Sequence, residues 1–263
     1  MKRLIILALT LTVGLSACDV LDLEPKDRVT QFDYFKTAND LELFSNPFYN
    51  NLLDKEPFDE QSDLLVQNTL SAILFGGSHR TVPESGGGWS WTDLRRMNTL
   101  LEYADMCEDK EAVTKYSAVT RFFRGFFYFE KVKRFGDVPW YEQVIGSEEE
   151  ELLKKPREDR GIIMDHVMND LKNAIEMLPR EKDVARVTRW SALALKSRIA
   201  LYEGTWRKYR NLPDADKYLQ LAADAASTFI SESGYSLYKE GTEPYRDLFC
   251  SDDAKQEEVI LAR

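Results

Sequence analysis

The chain has 263 residues, with 45 acidic against 35 basic side chains and a formal charge of −10. That balance argues against nucleic acid as a partner and against electrostatic adhesion to anionic lipid. With His79 and His166 the only histidines, no Cys/His metal site is read and no metal ligands are assigned.

Met1-Lys2-Arg3, an apolar run from Leu4 to Gly14 and then Leu15-Ser16-Ala17-Cys18 read as a secretory signal of the lipoprotein type, residues 1–18. The run is too short to span a bilayer, which takes roughly twenty apolar residues. Its alternative is an ordinary signal with a chance cysteine. On the lipoprotein reading the Cys18 thiol takes a diacylglycerol group, its freed amine an N-acyl chain, and no other cofactor is implied. Loss of Lys2 and Arg3 with the signal moves the charge from −10 to −12, so the membrane is held through the lipid anchor alone. Residues 19–31 are polar and aperiodic, a tether; about ten such residues reach roughly 35 Å when extended.

From there the spacing predicts helices joined by short loops. Asn39 to Asp54 carries Leu41, Phe44, Phe48 and Leu52 on one face, interrupted by Pro47. Residues 55–91, with Gly76-Gly77, Pro83 and Gly86-Gly87-Gly88, read as a loop containing one short helix at 62–74. Thr92 is placed to cap a helix reaching Met106, with Leu94, Met97, Leu101 and Ala104 inward. Glu111 to Phe135 is apolar on two sides, through Val113, Tyr116, Thr120, Phe123 and Phe127 and through Val119, Phe122, Phe126 and Phe129, as expected of a helix sandwiched between neighbours. Gly125 in its middle costs about 1 kcal/mol against alanine and implies close approach of another helix. Gly136-Asp137-Val138-Pro139 stops it.

Ser147 to Glu151 is an acidic loop, read as a solvated linker in preference to a calcium site. Asp159 to Leu178 is a further helix with Ile162, Ile163, Val167, Leu171, Ile175 and Leu178 inward. His166 and Asp170, one turn apart, are explained by an exposed charged face. Thr188 caps a helix through Tyr202, and Asp214 to Ile230 is another, closed by Gly234. Cys107 and Cys250 read as two buried free thiols, although pairing is open. Glu257 to Arg263 looks like a strand beginning, and the chain as one missing the rest of its fold.

Long helices joined by short loops give an all-α fold of stacked antiparallel pairs, a tetratricopeptide-like α-α superhelix. The strict consensus of that repeat is absent.

Several segments together resemble the N-terminal half of the SusD/RagB family of outer-membrane nutrient-binding lipoproteins. They are the Cys18 lipobox with Leu21-Asp22-Leu23-Glu24-Pro25, then Phe35, and the run Arg121-Phe122-Phe123-Arg124-Gly125-Phe126-Phe127-Tyr128-Phe129 leading to Arg134-Phe135-Gly136-Asp137-Val138-Pro139. Ala185-Arg186-Val187-Thr188-Arg189-Trp190-Ser191-Ala192 is another. Gly125 stands where alanine is commoner in the family, and family members run to about twice this length. The likeness implies residues 32–256 as a SusD-like helical domain and 257–263 as the start of a further C-terminal portion. It also implies a cell-surface, lipid-anchored protein of the outer membrane that captures oligosaccharides and acts as a lid on a SusC-like TonB-dependent barrel. Some relatives bind peptides instead.

Sugar recognition needs flat apolar faces for pyranose C–H surfaces and polar groups for hydroxyls. Trp89 and Trp91 beside the glycine loop are the aromatic candidates, with Arg95, Arg96 and Asn98 following, although packing competes for both tryptophans and a backbone-bonding role for Asn98. Trp140 with Tyr141 is read as core in preference to a surface packed on the barrel partner, and Trp190 with Trp206 as core or rim. No catalytic residue is assigned: a glycoside hydrolase would need paired carboxylates across a cleft, and acidic residues this numerous do not single out a pair. Gly-x-Ser-x-Gly, His-Glu-x-x-His and phosphate-loop motifs are absent. A helical scaffold without a small ligand is the third reading.

Overall fold

The computed structural model describes residues 34–52, 74, 81, 83, 84 and 86–262. The signal with Cys18, the tether, His79 and nearly all of the helix expected at 62–74 lie outside the described residues. Every helix below belongs to the unit Phe35–Arg263.

Helix α1 is Ala38–Leu52 and α2 is Thr92–Tyr103, the latter continued by one 3-10 turn at Ala104–Met106. The central helix α3 spans Lys110–Phe135. After the single turn α4 (Glu150–Leu153) come α5 (Arg160–Met177), α6 (Arg189–Tyr209), α7 (Ala215–Glu232) and the short α8 (Pro244–Phe249). Among the described residues there is no strand, only an isolated antiparallel bridge between Val138 and Glu158. No described helix is long and apolar enough to cross a membrane.

From α2 onward the long helices pack antiparallel to their neighbours. Asn98 of α2 meets Arg124, while Trp91 just ahead of α2 meets Phe127. Arg124 meets Asp170 of α5, and Arg160 at the start of α5 meets Glu203 near the end of α6. Ser197 of α6 meets Ala222 of α7, and Trp190 meets Phe229. Helix α1 runs parallel to α3, with Glu42 against Tyr116 and Phe48 against Phe123. This is the stacked-pair architecture expected. Helix α3 is buried on both sides: Tyr116, Val119, Thr120, Phe122, Phe123, Phe127 and Phe129 lie inside, while Val113 and Phe126 of the same stripes are half-buried. A Cβ on Gly125 would stand 3.3 Å from Leu171 of α5, so its glycine permits the close helix contact.

Capping explains most boundaries. Asp109, not singled out in the sequence, accepts hydrogen bonds from the Glu111 and Ala112 amides and starts α3. Asp159 accepts from Gly161, and Thr188 forms a reciprocal box with Ser191. Thr92 does not cap: the N-cap position of α2 is Trp91, whose backbone carbonyl takes the Arg95 amide. Helix α1 passes through Pro47 without interruption; the carbonyl that loses its donor belongs to Leu43, a surface residue.

Three further expectations are corrected. Ile162 is 49 % exposed, because the inward stripe begins at Ile163 and Met164. Cys107 is buried but Cys250 is exposed, and both thiols are free. Residues 257–262 form no strand: Glu257 accepts from Ser236 while Ala262 donates to Val184, single bonds to two separate segments that cannot build a ladder.

Candidate functional site

The three consecutive glycines ahead of α2 all have positive φ (73°, 60° and 84°), a path closed to most side chains. It closes a turn in which Trp89 donates its amide to the Gly86 carbonyl. Lys131 of α3 holds the turn from beneath, its ammonium donating to the Gly88 carbonyl and lying 4.8 Å from the Phe127 ring centre and 5.6 Å from that of Trp91. Burial, with Arg134 nearby, pulls the Lys131 pKa below the usual lysine value.

The turn delivers the two tryptophans edge to face, 5.1 Å apart. Trp91 is half-buried against Phe127, Tyr128 and Tyr141. Trp89 rests on Phe135, is 38 % exposed, and carries the Arg157 guanidinium 4.8 Å from its ring centre.

Facing them is the segment between α3 and α5. Pro139 and the Val138–Glu158 bridge set its path, and buried Tyr128 fixes it by accepting the Tyr141 amide at 2.8 Å. Burial raises the Tyr128 phenol pKa far above the usual tyrosine value, so it stays protonated. Tyr141 donates its hydroxyl to the Leu152 carbonyl, and Arg95 donates to the Ile145 carbonyl at 2.6 Å. Glu158 accepts the Trp140 amide; burial works to raise its pKa, but Lys155 and that amide together hold it below the usual carboxylate value.

Between these walls lies a cleft of about 600 Å³, lined by Trp89, Trp91, Arg95, Asn98 and Tyr141 with the Lys154–Arg157 stretch on its far side. Four of the five sequence candidates in this region therefore meet in one place. Arg96 does not: it is exposed and lies outside the lining. Asn98 is 1 % exposed and acts as a strut, donating to the Tyr141 and Gln143 carbonyls and accepting from Arg124. Tyr141, Lys154, Lys155 and Arg157 were not chosen from sequence. They sit some fifty to seventy residues from the glycine turn, and no spacing rule links the two segments.

A smaller cavity of about 320 Å³ adjoins, lined by Arg121, Arg124, Trp140, Glu142 and Asp170 among others. Here the exposed-face reading of His166 and Asp170 is corrected for Asp170, whereas the His166 side chain is 38 % exposed. Asp170 is 1 % exposed and bound by Arg124, and His166 stacks on Trp140 at 4.5 Å. The aromatic anchor at Val138-Pro139-Trp140 draws that face of α5 inward. Trp140 and Trp190 are core; Trp206 is half-buried between Arg160 and Arg210. Among the described residues no three His, Cys, Asp or Glu side chains gather as metal ligands.

The family model described as "Starch-binding associating with outer membrane", a SusD-like family, matches residues 90–201. A curated relative, SusD-like protein P25 of Formosa agariphila, is 22 % identical over 92 % of this chain and 47 % of its own length. A SusD homolog from Bacteroides thetaiotaomicron superposes with a TM-score of 0.64 at 19 % identity, over 90 % of this chain and 48 % of that one. A laminarin-binding SusD-like protein superposes with a TM-score of 0.52 at 22 % identity, over 65 % and 35 %. The chain thus spans about half the length of the first two.

Proposed function

The chain is SusD-like in sequence and fold, and on that premise we propose that it captures oligosaccharides without altering them, in the cleft between the glycine turn and the 139–157 segment. The observation that carries this reading is Trp89, whose partly open face stands over that cleft beside Trp91 and Arg95. A pyranose ring laid on an indole buries its C–H face, while guanidinium and amide groups take the hydroxyls. The binding of laminarin by one structural neighbour supports a glycan as the ligand class. Hydrolysis of a glycosidic bond takes two carboxylates across a cleft, and among the described residues lining this one there is none.

The same proposal makes the protein a lipoprotein of the outer membrane, acylated at Cys18 and handing its glycan to a SusC-like TonB-dependent barrel. The motif at Leu15-Ser16-Ala17-Cys18 supports the anchor, and the family's association with the outer membrane supports the location.

Affinity electrophoresis on a panel of polysaccharides, run beside a reducing-end assay, tests the first part. Retardation without new reducing ends is expected; reducing ends accumulating with turnover would contradict capture without chemistry. For the anchor, Cys18→Ala is expected to release the protein into the soluble fraction, and its retention in membranes would refute acylation at that sulfur.

A further inference from the structure

The protein carries a net charge of −10, yet among the described residues lining the tryptophan cleft there are four cations and no carboxylate. Arg95, Lys154, Lys155 and Arg157 face the same space. Lys154 pairs with Glu150 and Lys155 with Glu158, both at the edge of the α4 turn. Among the described residues Arg95 and Arg157 have no carboxylate partner: Arg95 spends one nitrogen on the Ile145 carbonyl, and Arg157 lies over the Trp89 ring. Two arginines on opposite walls of one aromatic cleft, whose described lining holds no carboxylate, mark a local positive field.

We infer that the glycan this cleft takes is anionic, an oligosaccharide bearing carboxylate or sulfate groups, with its sugar face on Trp89 and its charge between Arg95 and Arg157. This rests on the glycan-capture reading and narrows its substrate class. The geometry suits it in two ways. A guanidinium offers a planar fork of donors that matches a carboxylate or sulfate, and such charge-assisted bonds are roughly twice as strong as neutral ones. Moreover Arg157, stacked on Trp89, sits beside the surface on which the sugar ring would lie, so ring contact and charge contact are made together. The net charge of −10 adds selectivity, because it disfavours non-specific adhesion of an anionic chain to the rest of the protein.

The test is calorimetric titration of the full chain with three probes of matched length: neutral laminari-oligosaccharide, oligogalacturonate and a sulfated carrageenan oligosaccharide. At about 0.05 M salt one or both anionic probes should bind about tenfold or more tightly than the neutral one, and the ratio should shrink at about 0.5 M salt, where charge is screened within about 4 Å. Which anionic probe binds distinguishes carboxylate from sulfate. In Arg95→Gln/Arg157→Gln, checked for an unchanged melting temperature, the ratio should collapse toward one. Neutral sugar bound as tightly as both anionic probes would overturn the charge inference and leave glycan capture standing. Binding of none of the three, or of an oligoglutamate peptide in their place, would overturn both.

Discussion

Arg124 of α3 and Asp170 of α5 are joined by two parallel hydrogen bonds of 2.7 and 2.8 Å, and the two side chains are only 5 % and 2 % exposed. The pair joins α3 to α5 behind the cleft, and the third arm of Arg124 reaches Asn98, which in turn holds the carbonyls of Tyr141 and Gln143. Removing one partner strands a charge in the interior. Arg124→Met is therefore expected to cost about 3–5 kcal/mol of stability, and Asp170→Asn somewhat less. Because the two side chains serve each other, Arg124→Met/Asp170→Leu should cost clearly less than the summed singles. Urea denaturation of the four proteins checks this; strict additivity would show that the pair is not coupled.

The cleft tryptophans should separate in their effects. Trp91 packs on three rings beneath the turn, so Trp91→Ala is expected to lose about 2–3 kcal/mol along with ligand capture. Trp89 is 38 % exposed, so Trp89→Ala should weaken capture while shifting the melting temperature less. Thermal melts beside binding titrations read both effects. Equal destabilisation by the two would return Trp89 to a packing role.

Gly204 tests the helix stacking. A Cβ there would lie 2.8 Å from the Leu219 side chain and 2.9 Å from its backbone nitrogen, closer than real carbons approach. Alanine gains about 1 kcal/mol of helix propensity, but forcing α6 and α7 apart costs about 1–3 kcal/mol. Gly204→Ala should be net destabilising by chemical denaturation. Gly125→Ala should be milder, because its nearest neighbour is the Leu171 side chain at 3.3 Å. The reverse order would mean that α6 and α7 do not pack so closely.

Much of this fold was legible because helix periodicity and caps are local. The two-sided stripe of α3, the role of Gly125 and the Thr188 cap follow from residues within a few turns of each other. What escaped was what tertiary contact decides. Asp170 looks like surface charge until Arg124 arrives from another helix to neutralise it, and Ile162 looks inward until α5 is rotated by its neighbours. In the cleft, Trp89, Trp91, Arg95 and Asn98 were visible because a glycine run beside tryptophan is unusual. Tyr141 and Arg157 were not, because their partners are distant in sequence.

Alkaline pH should unfold the protein through its phenols. Burial, and then a hydrogen bond to Glu42, push the Tyr116 pKa up to about 12; Tyr218, buried and bonded to Asp165, is raised as well. Each binds its proton more tightly folded than unfolded, where the value is about 10. Their contribution is thus complete below about pH 10 and is lost as pH climbs through about 12. Tyrosinate absorbance should rise together with loss of helical circular dichroism. Ionisation of all twelve tyrosines well before the helices melt would contradict this burial.

A crystal structure of the protein with a bound oligosaccharide speaks most directly to non-catalytic capture at this site. An intact sugar chain lying on the Trp89 ring, between the glycine turn and Arg157, is the expected result. A ligand seated elsewhere on the molecule, or one cleaved in place, would contradict it.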